Sequence, residues 1–479
     1  MYKTRPRYIL SVGFCLLAIS CSVPKIAELT DNKSVPAAYS GNNSTTDTTS
    51  MSAIRWRNFF TDTNLIKLID TALKNNQELN ITLQEVEIAG NEILARKGDI
   101  LPNVGLQAGA GFEKVGRYTS QGAGDASTDI KPGKKVPDVL PDYMIGLYAH
   151  WEADIWKKLH NAKKAAVARY LSTVEGKNFV LTNLIGEIAN AYYELLALDN
   201  QLDIVRQNIE LQKNVLEIVK VQKEAMRATE LAVQKFQAEV LGSQSLEYDI
   251  IQRIKETENT INLLLGRYPQ EIPRDKSNFL ALVPQTVQSG IPSQLLANRP
   301  DIRQAELDLA AAKLDVQVAH AAFYPSLDIS SSLGLQAFSP SYLVKFPESM
   351  LYSLAGDLAA PLINRSAIKA EFNSANARQL QTLYNYQRTV LNAYLEVANQ
   401  LSKINNLDSS YALKSQQVDA LTKSIDISND LFKSAHADYL EVLMTQRDAL
   451  EARLELIDTK KDQLNAVINI YRELGGGWQ

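Results

Sequence analysis

From residue 103 onward the chain alternates strictly. Val104, Leu106, Ala108, Ala110 and Phe112 hold the even positions, and Asn103, Gly105, Gln107, Gly109 and Gly111 the odd ones. A period of two predicts a strand with one apolar and one polar face. A second run sets Tyr143, Ile145, Leu147, Ala149, Trp151, Ala153 and Ile155 against Gly146, Tyr148, His150, Glu152 and Asp154. The pair recurs later. Leu327, Ile329, Leu333 and Leu335 face away from Asp328, Ser330, Ser332 and Gln336, and Met350, Tyr352, Leu354, Leu358 and Leu362 face away from Ser353 and Asp357. Strands are expected over 103–113, 143–155, 326–337 and 350–362, each long enough to be a tilted membrane-spanning strand of roughly ten residues. Lipid admits β-structure only when closure leaves no backbone group unpaired. Four strands cannot close, a barrel of about eight is filled by its own side chains, and wider barrels leave an aqueous lumen. Three copies, contributing about twelve strands, make the smallest assembly of this unit that conducts. His150, Glu152, Asp154, Asp328 and Asp357 are then expected to face the lumen, favouring cations and repelling anions. A soluble sheet with one wet face is the alternative that any single hairpin allows.

Elsewhere the period is seven. Val167, Val174, Leu181, Ile188, Leu195, Leu202, Ile209 and Leu216 form one series, and Leu383, Val390, Val397, Ile404, Tyr411, Val418, Ile425 and Phe432 a second. Leu443, Leu450, Ile457, Leu464 and Tyr471 continue in the same spacing. No proline interrupts 157–267 or follows Pro361, and no glycine lies in 363–473. Helices of some 65 residues, about 100 Å long, are expected, with left-handed coiled-coil packing. Breaks at 224–230 and 434–438 turn each long segment into an antiparallel helical hairpin. A plain coiled-coil rod is the simpler alternative, but it leaves the strands unexplained.

Helix, strand, loop, strand, long helix, turn and helix occur in this order twice, which marks an internal duplication. NAYYELL from Asn190 resembles NAYLEVA from Asn392, and Leu181, Leu195, Leu202, Ile209 and Leu216 map onto Leu383, Val397, Ile404, Tyr411 and Val418 at a constant offset of 202. The first repeat spans 61–265, with its helical hairpin over 157–265, and the second spans 298–474, with its hairpin over 365–474. Residues 266–297 link them, and 475–479 form a short tail. The halves differ mainly in the longer, glycine-containing loop over 113–142, expected on the exterior.

The N-terminus adds a compartment. Residues 8–19 are apolar over about 12 positions, too few to span a bilayer, which takes ~20. Lys3, Arg5 and Arg7 precede them, so residues 1–20 have the form of a secretory signal, followed over 21–60 by a tether rich in Ser, Thr and Asn and an equatorial segment. Removing those cations takes the formal charge of −4 to about −7, and no basic stretch argues for nucleic acid. Of the two cysteines, Cys15 lies inside the signal, so a disulfide is excluded. Ala18, Ile19 and Ser20 before Cys21 resemble a bacterial lipobox, with alanine where leucine is usual. A covalent lipid on Cys21 is the expected modification. Cleavage by an ordinary signal peptidase beside a bystander cysteine is the alternative.

IPSQLLANRPDIRQAELDLAAAK, beginning at Ile291, resembles the TolC-like outer-membrane efflux channels, in the lipoprotein branch typified by OprM and NodT. WEADIW from Trp151, AFYPSL from Ala322, DYLEVLMTQRDAL from Asp438 and YRELGGGW from Tyr471 carry the same resemblance collinearly over nearly all of the mature chain. It implies an α+β membrane protein: a homotrimeric outer-membrane β-barrel to which each protomer gives four strands, above a coiled-coil α-helical barrel in the periplasm. It also implies a passive exit duct, without cofactors, recruited by a periplasmic adaptor protein and a proton-driven inner-membrane transporter. Two departures stand out. Family members usually carry glycine at the hairpin turns that meet the adaptor, and the matching positions here are Met226 and Ala435. At the periplasmic gate, Glu441 stands where an acidic residue is expected, whereas Met444 replaces a second one. Leu440 and Arg447 match gate positions of the branch, so Leu440, Glu441 and Arg447 are expected to narrow the tip, without a second, cation-binding ring. Ordinary helix packing is the alternative for Leu440 and Met444.

No HExxH, P-loop or GxSxG motif occurs, and the four histidines, His150, His160, His320 and His436, lack metal-ligand spacing. An enzyme is not expected. The readings left open are an efflux exit duct, a protein-secretion exit, and a periplasmic lipoprotein scaffold without a pore.

Overall fold

The computed structural model describes Ile26 and residues 35–39, 49–277, 279–361, 365–434 and 436–478. The signal segment and Cys21 lie outside the described residues, as do Ala435 and Leu362. The chain divides into two compact units. One comprises residues 87–171 and 307–384, and the other residues 35–39, 49–86, 172–306 and 385–478.

The first unit contains a four-stranded antiparallel sheet of β1 (Asn103–Glu113), β2 (Leu140–Ala153), β3 (Ser326–Ala337) and β4 (Met350–Ala359), in chain order. The register aligns the alternating patterns of all four strands. Leu106, Leu147, Leu333 and Tyr352 form one row, and Ala149, Ser331 and Leu354 stand in the next row of the same face. Gly105, Tyr148, Ser332 and Ser353 form a row on the opposite face. A shift of one residue would have inverted a strand; Ser331 and Gly356 interrupt the apolar face, and Leu140, Met144, Leu351, Ala355 and Ala359 fall on the polar one. That apolar face is bare: Leu106 is 70% exposed, Phe112 77% and Leu354 78%. β2 begins three residues before the predicted strand, at Leu140, and it ends at Ala153 rather than at 155. β4 ends at Ala359, ahead of Pro361, whose missing N–H cannot extend a ladder.

Gly146 and Gly334 explain one part of the composition of the polar face. They are paired directly across β2 and β3, and a Cβ on Gly146 would stand 2.8 Å from the Cα of Gly334. Neither position has room for a side chain.

The longer helices among the described residues are α1 (Thr63–Asn75), α2 (Gln77–Asp99), α3 (Lys158–Glu224), α4 (Glu230–Leu264), α5 (Pro300–Ala321), α6 (Ser366–Lys433) and α7 (Tyr439–Glu473). The helical stretch before β1 is divided in two. Asn76 breaks it with extended backbone; its Oδ1 accepts from the N–H of Leu79, and its Nδ2 donates to the carbonyl of Leu264, 2.9 Å in both cases.

The two repeats have matching hairpins, with long helices of 67 and 68 residues and return helices of 35 each. Glu224 and Lys433, Glu230 and Tyr439, and Leu264 and Glu473 are each 209 positions apart. The offset of 202 read from the heptads is therefore one heptad short at the helix ends. The match of NAYYELL with NAYLEVA keeps the offset of 202 in mid-helix, so the helix ends lie one heptad beyond it.

In the second unit Ile188, Leu195, Leu202, Ile209 and Leu216 are buried along α3, as are Ile457, Leu464 and Tyr471 along α7. The stretch before α1 packs into the same core, where the ring of Phe59 stacks on Tyr471 at 4.0 Å. The linker between repeats is fastened here as well. Met51 N–H donates to the carbonyl of Gln288, and Arg274 bonds Asp199 at 2.5 Å and Glu258 at 2.8 Å.

Candidate functional site

On the polar face of the sheet, the register brings His150, Glu152, Asp328 and Asp357 to the helix-proximal ends of three neighbouring strands. Glu152 pairs with Asp328, and Asp328 with Asp357. His150 Nε2 lies 3.7 Å from the Asp328 carboxylate, Lys158 Nζ 2.5 Å from Glu152, and Ser326 donates to Asp328 at 3.1 Å. Three carboxylates thus stand in adjacent register, one of them paired with Lys158. Asp154 is not one of them. It follows the end of β2, and its carboxylate accepts from the N–H groups of Leu159 and His160 at 3.1 and 2.8 Å. Its side chain is 6% exposed, so it satisfies the otherwise free donors at the start of α3. Alternation continued by eye across the strand end could not reveal this. Sequence reasoning also passed over the hydrogen bonds that knit the polar face: Ser332 with Ser353 at 2.7 Å, and Gln336 to Asp142 at 2.8 Å. Shared parity of polar residues was the available signal.

The two hairpin turns lie in the second unit. Met226 is 95% exposed with φ of +58°. Its N–H donates to the carbonyl of Lys223, and that of Arg227 to Gln222; this double bond pattern places the residue between them in the left-handed region where glycine is favoured. Gly266 and Gly475 hold the same position at the ends of α4 and α7, with φ of +65° and +89°. Met226 thus adopts glycine's conformation without being glycine. α4 then starts on a Thr229 cap, and Glu230 pairs with Lys223, which holds its carboxyl below the usual range. At the other turn His436 N–H donates to Leu431 at 2.9 Å.

In the first turns of α7, Leu440, Met444 and Arg447 fall on one exposed stripe with Glu441 beside them, and Val442, Gln446 and Ala449 are buried on the opposite side. Leu440 is 39% and Met444 44% exposed. Both side chains are thus partly open to solvent in the single chain. Arg447 lies 3.7 Å from Asp448.

A charged centre in the second unit went unread in the sequence beyond its motif. Arg299, 7% exposed, bonds Asp301 at 2.6 Å and Glu396 at 2.8 Å and donates to the backbone carbonyl of Glu473 at 2.9 Å. Beside it is a hollow of about 500 Å³ bounded in part by Phe179, Thr182, Glu187 and Arg472. Burial pushes the Glu473 carboxyl up to about 7. Further along, Glu194 on α3 joins Arg253 of its own hairpin to Lys461 of the other, both at 3.1 Å.

Among the described residues no three His, Cys, Asp or Glu side chains converge as metal ligands would. No described helix is long and apolar enough to cross a membrane.

The chain is 30% identical to the pyoverdine export outer membrane protein OpmQ of Pseudomonas aeruginosa over 426 residues, 89% of this chain and 88% of that protein. It is 27% identical to the cation efflux system protein CusC of Escherichia coli over 427 residues, 88% of each chain. The crystal structure of CusC superimposes with a TM-score of 0.82 at 24% identity, covering 94% of this chain and 99% of that one. The open-state MtrE outer membrane channel of Neisseria gonorrhoeae gives 0.82 at 21% identity, covering 95% and 98%. The fold is that of the TolC-like channels, as the resemblance implied. One family description matches twice, over residues 68–267 and again over 291–476, so that each repeat is recognised by itself, and by these two matches the chain belongs to the outer membrane efflux proteins.

Proposed function

We propose that the chain is one protomer of a homotrimeric exit duct in the outer membrane, which passively conducts small molecules delivered by a periplasmic adaptor protein and a proton-driven inner-membrane transporter. The observation that carries this reading is the open sheet. Its apolar face is exposed, and its edge strands β1 and β4 each have one partner. In a bilayer no edge can stay unpaired. β4 of one copy and β1 of the next run antiparallel, so a head-to-tail ring of three closes the barrel. The same ring accounts for apolar heptad positions such as Val167, which is 36% exposed in the single chain.

Within the duct, His150, Glu152, Asp328 and Asp357 face the lumen. Leu440, Glu441, Met444 and Arg447 narrow the periplasmic gate, and the turns at Met226 and Ala435 meet the adaptor. Residues 1–20 are a signal, after which Cys21 carries a covalent lipid and 21–60 tether it to the first repeat. One acyl anchor gives marginal attachment, so the lipid supplements the barrel. The protein is a conduit, not a catalyst. Purified protein is expected to form heat-stable trimers in detergent and to conduct in planar bilayers. Monomers soluble without detergent, silent in bilayers, would sink the proposal. Comparing a deletion strain with its parent on detergents, bile salts and antibiotics then narrows the cargo.

A further inference from the structure

The sheet's apolar face stops at Phe112 in β1, Pro141 in β2, Ala337 in β3 and Met350 in β4, and two connections follow. One holds a helix (Ser120–Ser127) and a small hairpin (Asp129–Lys131 with Lys134–Lys135), the other a single helical turn (Pro340–Leu343). Their cations divide into two sets. Arg117 pairs with Asp138 and Lys135 with Asp129, whereas Lys114, Lys131, Lys134 and Lys345 have no described carboxylate within 4.0 Å. Two of these four converge. Lys131 Nζ lies 4.8 Å from the centre of the Tyr342 ring and 5.7 Å from that of Phe338, and Lys345 Nζ lies 4.7 Å from the same Tyr342 ring. Phe338 packs edge-on against Tyr342 at 5.2 Å. The two ammonium groups therefore stand at most 9.5 Å apart over one phenol.

An aromatic face attracts a cation but does not neutralise it. Two lysines held together in a chain of net charge −4 leave a local positive spot without its anion. Glu348 borders the adjoining hollow of about 270 Å³ but pairs with neither lysine. Flanking Lys345, Val344 is 79% exposed and Phe346 71%. Paired cations beside exposed apolar groups, just beyond the ends of the strands, match a phosphorylated amphiphile in charge and in polarity.

We propose that Lys131 and Lys345, mounted on Tyr342, form a docking surface for the phosphate groups of an anionic glycolipid of the outer leaflet, with Val344 and Phe346 against its acyl chains. The inference rests on the sheet lying in the outer membrane and goes beyond conduction. A soluble phosphate has no use for the two exposed apolar side chains that flank Lys345.

Full-length protein in detergent, titrated with bisphosphorylated lipid A and followed by native mass spectrometry, tests it. The Lys131→Ala, Lys345→Ala double variant should bind about 30-fold more weakly, since each lysine near an anionic lipid surface contributes a factor of about five. Lys134→Ala should stay within about twofold of the parent, because Lys134 is outside the cluster, and dephosphorylated lipid A should bind the parent no better than the double variant binds the intact lipid. Unchanged affinity of the double variant would overturn the proposal, as would equal binding of dephosphorylated lipid. Complete displacement by millimolar orthophosphate would also overturn it, in favour of a soluble anion. Single-channel conductance is read in parallel: a protein that conducts but fails these titrations refutes the lipid site alone, whereas one that never conducts refutes the duct.

Discussion

Replacing Glu473 by glutamine should flatten the dependence of stability on pH between about 5 and 8. Glu473 ends α7; its side chain is 12% exposed, one carboxylate oxygen is buried without a hydrogen-bond partner, and the other lies 3.8 Å from Arg472. Burial pushes the carboxyl up from 4.5 to about 7; Glu396 adds to this, while Arg472, Arg299 and Lys403 pull it back. A carboxyl raised on folding contributes stability that is complete below its unfolded value and is lost as pH rises through the folded one. The difference amounts to about 3 kcal/mol. Glu187, also raised by burial and by Glu78, works in the same direction. Glu258 is held low, where burial opposes its charge but Arg274 and Lys255 prevail, so it acts only on the acid side. Helix unfolding followed by circular dichroism, at constant ionic strength, should give a parent protein several degrees less stable at pH 8 than at pH 5. Glu473→Gln should remove most of that difference while leaving the pH 5 value nearly unchanged, because glutamine imitates the protonated acid. If the variant keeps the parent's full pH dependence, the buried carboxyl is ionised throughout and the reasoning fails.

Met226→Gly should relieve a left-handed backbone that costs a side chain about 1–2 kcal/mol; after the entropy glycine adds to the unfolded chain, slower amide exchange at 222–232 is expected, and faster exchange would refute it. Gly146→Val should prevent barrel assembly, since its Cβ has no space against Gly334; normal heat-stable trimers on gels would show that the strands separate more easily than their packing implies. Glu441→Ala combined with Arg447→Ala should make the closed tip leaky, and an unchanged single-channel conductance would count against their place at the gate. Cys21→Ser should lose acylation, checked by intact mass, while any barrel that forms still spans the membrane.

Period alone was enough for much of this protein. Alternation at 103–112 and its three counterparts announced strands with one face for lipid, and heptads without proline or glycine announced long helices, because local geometry repeats at two and at three and a half residues. Duplication followed from the order of these patterns, and the motif around Arg299 pointed to the family. What stayed hidden depended on particular neighbours. Asp154 had the parity of a polar strand residue but became a helix cap, Asn76 ended α1 while bonding Leu264, and the helix ends fell one heptad beyond the offset of 202. Lys131 and Lys345, 214 positions apart, meet on one tyrosine only after β1 to β4 have aligned. Periodicity is a property of one segment and survives in the sequence; register, capping and the company a charge keeps are set between segments, by packing and hydrogen bonds that only the folded chain brings within reach.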